Sequence, residues 1–497
     1  MVPTRFMKKT NFDLGHLLAA IALALMFAVS YASLAIRKYE THQTRGDLTA
    51  YAQGLWNTVN GHFMASTFNY SVHNYWGGHF REITADNSNI FGVHFNPVIL
   101  LFAPFYAVYP HPELLLIMQA VVLAGSSIII FKIADDRLKN KLLALAIQFS
   151  YLLNLGIITA VLSEFHAYPL TVLFSALLIW GSQSKKMSWY YLWLGLLLLV
   201  QENAAIPALF FGFYLILNQK TRVRGVITAG VSIFCLLFIT KLLIPQLSPL
   251  KSYMFETAYG SPLGGSYLEM ITNSIRHPLL PFTVILSKAN LIYLGKVFLP
   301  TLPLAFLAPG ALLMSVMTLA PNLISSAGIL KSQAMHYEAV GVPYSYFALI
   351  LGVSNLFKFI KPNQKRWADF VVLFLILGAV LTQYKLLTGA KFSPQCVWSC
   401  RFYSALDSEK DQIIAAVPPG VSVSTQDYLS GHLSGREGLY LFPVYFDLAD
   451  YVVISKGQEI WPLTSEDQTK YFSLLSQSPK HQVKLETDHF IIFQKIL

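Results

Sequence analysis

The sequence predicts a mainly α, polytopic transmembrane helical bundle followed by a small C-terminal α/β domain. Three observations predict it. Of the 497 residues, 54% are hydrophobic and only 12% charged, about half the charged fraction of an ordinary globular chain, and the mean hydropathy is +0.50. Apolar stretches long enough to cross a bilayer recur up to residue 384 and then stop. Lysines and arginines gather in short clusters beside those stretches, as they do in cytoplasmic loops. The formal net charge of +10 is therefore a topology signal. No basic stripe is interleaved with aromatics, so no nucleic-acid partner is expected.

In chain order, the uncharged stretch 17–35 follows Arg5, Lys8 and Lys9. It is expected to be an uncleaved first helix with its N-terminus in the cytoplasm, a signal peptide ending at Ala32-Ser33-Leu34-Ala35 being the alternative. The stretch 46–97 then lies at the membrane surface. Within it Leu48, Tyr51, Leu55, Trp56 and Val59 recur at helical spacing, which predicts a short helix lying in the interface. Asp47 opens that helix, either as its N-cap or as a catalytic group.

Residues 98–109 are apolar but short and carry Pro104, so they are expected to be interfacial or re-entrant. Spans follow at 114–131, 142–162 and 167–181. The stretch 189–217 is interrupted by Gln201-Glu202-Asn203 and is basic at both ends, at Lys185, Lys186, Lys220, Arg222 and Arg224. Two short helices meeting near the outer leaflet at Glu202 satisfy both facts. Further spans are expected at 226–244, 291–307, 311–326, 340–357 and 370–384. The total is about eleven, with the N-terminus in and the C-terminus out, in a multi-pass protein of the plasma (inner) membrane. The transmembrane domain is expected over 1–387, with extracytoplasmic loops 36–113 and 245–289.

The tail, 388–497, changes character. A helix over 407–416 ends before Pro418-Pro419-Gly420, and 421–424 and 451–454 have the pattern of short buried strands. Residues 483–485 and 490–493 form a hairpin joined at Thr487-Asp488. Cys235 lies inside an apolar run, and Cys396 and Cys400 lie beyond the last one. Whether the latter two form a disulfide stays open.

On this topology Asp47, His94, Glu164, His166, Glu202 and His336 converge on the outer surface from separate parts of the chain. Each alone has a plain structural role, as a cap, a solvated charge or a backbone-bonded histidine. Together they point to a reactive cavity, and a carboxylate such as Glu202 within a membrane segment is a functional candidate by default. There is no phosphate-binding loop, dinucleotide fingerprint, His-Glu-x-x-His or nucleophile elbow. Spacing does not specify a metal site; a divalent metal is compatible with the sequence but not required by it.

Several of these residues sit in longer motifs: Asp47-Leu48, Gln53-Gly54-Leu55-Trp56-Asn57, His94-Phe95-Asn96-Pro97, Glu164-Phe165-His166, Gln201-Glu202, His336-Tyr337, and Gly431-His432-Leu433-Ser434-Gly435-Arg436-Glu437 in the tail. In these the chain resembles, over nearly its whole length, a polytopic family known as domain of unknown function twenty seventy-nine. That family's architecture is similar to the C-type membrane glycosyltransferases. The resemblance implies a membrane-lipid partner, a polyprenyl-phosphate sugar as donor, and Asp47 as general base. On this reading Glu164 and Glu202 are expected as further catalytic groups and His94, His166, His336, Arg276 and Trp56 as substrate-binding residues, with Arg276, His336 and Arg81 the groups expected to hold the departing phosphate. The chain departs from the family pattern at Gly46, Ala167, Gln201 and Asn203. A transporter or flippase for a lipid-linked or small polar substrate is the competing expectation, and a sensor with a ligand-binding tail a third. Oligomeric state is left open.

Overall fold

No proline interrupts the apolar run from Leu14 to Glu40, and it forms one 27-residue helix, α1. In the computed structural model, which describes residues 14–77, 83–184, 186–256, 259–388, 401–457 and 459–496, α1 packs along a second 27-residue helix, Pro112–Leu138. Among the described residues five helices are long and apolar enough to cross a membrane: α1, Pro112–Leu138, Arg222–Leu247, Ala339–Leu356 and Pro362–Leu386. Lys141–Leu152 and Leu155–Leu162, bent by 44° to one another, make a sixth when taken as one span. The bend falls at Asn154, whose side chain caps the second helix by accepting from Gly156 N.

The spans expected over 291–307 and 311–326 do not form at that length. Their helices are Lys288–Phe298 and Pro309–Met317, of 11 and 9 residues, rising at most about 17 Å against a hydrocarbon core of about 30 Å. Pro300, Pro303, Pro309 and Pro321 explain the fragmentation, since each withholds an N–H and crowds the preceding turn. The interruption at Gln201-Glu202-Asn203 is present as expected. Met187–Leu198 and Ala205–Ile216 are joined through extended Gln201 and a single turn at Glu202–Ala204. The loop after His94 inserts into this break, where Val98 N donates to Leu199 O at 3.1 Å and satisfies a carbonyl that the helix end leaves open.

Helix α2, Gly46–Val59, corrects an expectation. Expected to lie in the interface, it is instead enclosed by protein, buried at every residue from Leu48 to Leu55 and again at Asn57. One side meets the membrane domain, where Asn96 Nδ2 donates to Tyr51 Oη at 2.8 Å. The other side is covered by the tail. Thr49 and Ser430 hydroxyls pair at 2.7 Å, and Gln53 Nε2 donates to Glu437 O at 2.9 Å.

The tail forms a five-stranded sheet in the order β2-β1-β3-β5-β4. The strands are β1 Val423–Thr425, β2 Leu439–Leu441, β3 Tyr451–Ser455, β4 His481–Glu486 and β5 Phe490–Lys495. β1 runs parallel to both β2 and β3, and the expected β4–β5 hairpin is antiparallel. Alternation divides β3 and β5 between two small cores. Tyr451, Val453, Phe490 and Ile492 pack with Ile413 of the Ala405–Ala415 helix; Val452, Ile454, Ile491 and Phe493 pack with Leu475 of the Ser465–Ser476 helix. The first of these cores also takes in Phe68, from helix α3 (Thr67–Gly77) of the N-terminal part. Strand β2 is an edge, and α3 closes it: Leu439 N donates to Thr67 Oγ1 at 3.0 Å and Leu441 N to Ser71 Oγ at 2.7 Å. Two hydroxyls one helical turn apart thus match two amides two strand residues apart.

Candidate functional site

A helix that starts inside a protein must find partners for its first N–H groups. The residue before α2, Arg45, makes no side-chain cap. Glu164 does the work from across the fold, its Oε2 accepting from Arg45 N at 2.8 Å and from Leu48 N at 3.4 Å. A third carboxylate, Asp427 of the tail, lies 3.3 Å from Arg45 Nη1. It comes so close that a Cβ on Gly46 would stand 2.9 Å from its Oδ1 and 2.8 Å from the Phe68 ring. Glycine is the residue that fits. Three acids around one helix N-terminus also suit its positive dipole end. Glu164 holds its position at a φ of 102°, a conformation costly for a residue with a Cβ.

Because Glu164 caps the helix, Asp47 is released from that role. Its side chain is 57% exposed and opens on a cavity of about 360 Å³. Asp47 Oδ2 is hydrogen-bonded to His166 Nε2 at 3.0 Å. Burial pulls the His166 pKa down, but Asp47 and Glu164 beside it outweigh burial, and the net shift is upward. The His166 ring lies on that of His336, with centroids 3.7 Å apart. His336 titrates well below the usual histidine range, through burial first and the neighbouring His166 second. The stack therefore keeps one ring neutral while the other leans toward the cation. The Glu164 pKa is raised, by burial and then by the charge of Asp47.

A second carboxylate–histidine pair stands on the same cavity. Glu202 is fully buried, with Oε1 2.7 Å from His94 Nδ1 and accepting from Tyr253 Oη at 3.0 Å. Its Oε2 accepts from Phe95 N at 3.1 Å. The His94 ring reaches the cavity and stacks on Phe255 at 4.2 Å, nearly parallel. The inserted loop 94–98 and the broken helix thus hold one another through the Glu202 carboxylate as well as the Val98–Leu199 backbone bond.

The cavity brings together Asp47, His94, His166 and His336, and it is finished by aromatic and apolar groups such as Tyr259, Tyr337 and Ile324. It does not bring Glu164 or Glu202 to its wall; both lie behind it, holding residues that do face in. Arg276 is exposed at the end of the Tyr267–Arg276 helix, away from the cavity. Trp56 packs beside Gly435 of the tail. Among the described residues the cavity wall has no lysine or arginine. Arg81, Cys396 and Cys400 lie outside the described residues.

Sequence reasoning missed Asp427, four residues before the tail motif that starts at Gly431. The motif was a signal of sorts, because its Arg436 and Glu437 carbonyls accept from Gln53 of the α2 motif. Asp47, Glu164 and His166 each offer a ligand atom within 4.8 Å of the others, a donor set able to hold a divalent cation. Chemically the arrangement presents an accessible, oriented carboxylate, Asp47, and three histidines, His94, His166 and His336, to a partly apolar chamber.

A family model described as "Predicted membrane protein (DUF2079)" matches residues 38–492. No curated protein matches the chain. Among solved structures, ArnT from Cupriavidus metallidurans bound to undecaprenyl phosphate is similar over 97% of this chain and 98% of that one, with 10% identity and a TM-score of 0.47.

Proposed function

Since the chain belongs to the DUF2079 family of predicted membrane proteins, we propose that it is an integral membrane glycosyltransferase with Asp47 as general base. The donor is a polyprenyl-phosphate sugar and the acceptor carries a hydroxyl. Asp47 takes the hydroxyl proton as the oxygen attacks the anomeric carbon. The new carbon–oxygen bond forms as the bond to phosphate breaks, and the phosphate leaves on its lipid with inversion at the sugar. His166 holds Asp47 in place and supports its ionised form. The observation that carries the reading is Asp47 itself: a carboxylate relieved of capping by Glu164, bonded to a buried histidine and open to the cavity.

With no lysine or arginine on the described wall, the departing phosphate would be held by hydrogen bonds from His94, His336 and tyrosine hydroxyls. Glu202 serves the reaction by fixing His94. The test uses purified protein in vesicles with a panel of polyprenyl-phosphate hexoses, following release of free polyprenyl phosphate. Wild type should release it and Asp47→Asn should not. Movement of intact lipid-linked sugar across the vesicle without cleavage, unaffected by Asp47→Asn, would replace the enzyme with a flippase.

A further inference from the structure

The segment that follows the Arg222–Leu247 helix has an apolar face that nothing among the described residues covers. Leu268, Ile271, Ile275, Leu279, Phe282 and Leu286 are between 58% and 75% exposed. Leu268, Ile271 and Ile275 share one face of the Tyr267–Arg276 helix. Leu279, Phe282 and Leu286 recur at the same spacing along the Leu280–Ile285 helix and its two flanking residues, so that together the six make an exposed apolar seam. The opposite side is fastened to the protein. Asn273 Nδ2 donates to Leu263 O at 2.8 Å, and Glu269 Oε2 accepts from Gly265 N at 2.8 Å. Six large apolar side chains exposed together form a patch that soluble surfaces do not leave bare.

We propose that residues 267–286 lie in the membrane interface, with this seam among the lipid tails and Arg276 at the level of the head groups. Two observations favour lipid over a protein partner. The seam continues a surface already apolar: Tyr267 packs against Ile239, Ile244 and Tyr253 at the end of the Arg222–Leu247 span, whose own Phe234, Leu237 and Leu242 are exposed. At the other flank the Lys288–Phe298 helix exposes Leu291 and Ile292. The charges also suit a head-group layer, because Arg276, His277 and Lys288 edge the seam while the acid of this stretch, Glu269, is turned back onto the loop.

The placement has a consequence for the cavity. Tyr267 and Met270 line it, while Leu268 and Ile271 on the same helix face outward. One helix, about 10 Å across, is then all that separates the cavity from lipid. The inference does not depend on glycosyl transfer, since it is read from depth and not from turnover.

The experiment uses the full chain in phosphatidylglycerol-containing vesicles, with its three native cysteines replaced by serine. Single variants Ile271→Cys, Ile275→Cys and Leu279→Cys carry a fluorescent probe, with Glu269→Cys and Thr272→Cys as references. The seam probes should be quenched by lipids brominated on the acyl chain about threefold or more above the references, and protected from iodide. Equal iodide quenching at seam and reference positions would overturn the proposal. So would protection from both quenchers that disappears when the protein is diluted in lipid, which would assign the seam to a second copy of the chain. The labelled seam positions and Glu269 are exposed and Thr272 is half-buried, and unchanged melting of each labelled variant establishes that the fold is retained.

Discussion

The two carboxylate–histidine pairs on the cavity are inverted copies of one another. In Asp47–His166 the histidine is buried and the carboxylate is 57% exposed; in Glu202–His94 the carboxylate is buried and the imidazole is 24% exposed. The same two chemical groups therefore show the cavity opposite faces. The first pair presents a proton acceptor held by a donor. The second presents a ring whose orientation is fixed by an acid buried behind the wall. Their surroundings explain the inversion. Asp47 sits on a helix whose N–H groups are already capped by Glu164, whereas Glu202 must itself satisfy Phe95 N, Tyr253 and His94.

The sharpest way to break this contrast is to neutralise each acid in turn. Asp47→Asn should lower turnover by about 10²- to 10⁴-fold while leaving the melting temperature nearly unchanged, because Asp47 is not the cap. A steady-state assay paired with a melt decides it; comparable loss of stability would mean that Asp47 is structural after all. Glu202→Gln should do the reverse in kind. It alters a buried carboxyl group that holds three partners, at a cost on the order of 3 kcal/mol, seen as a lower melting temperature together with any loss of activity.

Next come the histidines. His166→Gln should lower kcat by roughly ten- to a hundredfold and move the acid limb of the pH–rate profile, since it acts on the proposed base. His94→Gln should act on KM more than on that limb. Equal shifts of the acid limb in both variants would erase the distinction between the pairs.

The smallest effect concerns the tail. Burial raises the Asp427 pKa to about 6, against the pull of Arg45 beside it. A folded-state value above the unfolded one near 3.9 means a contribution complete at low pH and lost as pH rises through about 6. The melting-temperature difference between wild type and Asp427→Asn should therefore shift toward wild type by a few degrees as pH falls from 7 to 4.5. A difference independent of pH would show that Asp427 titrates alike in both states.

Local pattern was enough for much of this. The apolar runs at 17–35 and 114–131, the polar interruption at Gln201-Glu202-Asn203 and the alternation in β3 and β5 are periodicities of the backbone, legible wherever neighbours along the chain decide the outcome. The sequence also named Asp47, His94, Glu164, His166, Glu202 and His336 as one group, of which the cavity unites Asp47, His94, His166 and His336. It could not tell which acids face inward. Glu164 and Glu202 are polar residues in polar motifs like Asp47, yet they turn behind the wall to serve N–H groups at Arg45 and Phe95, 119 and 107 residues away. Nor could it foresee that α2, amphipathic in pattern, is covered on its polar face by Ser430 and the Glu437 carbonyl, more than 380 residues on. Those contacts have no period and no spacing. They arise when separate elements dock and each buried donor must find an acceptor, a condition that the tertiary structure alone resolves.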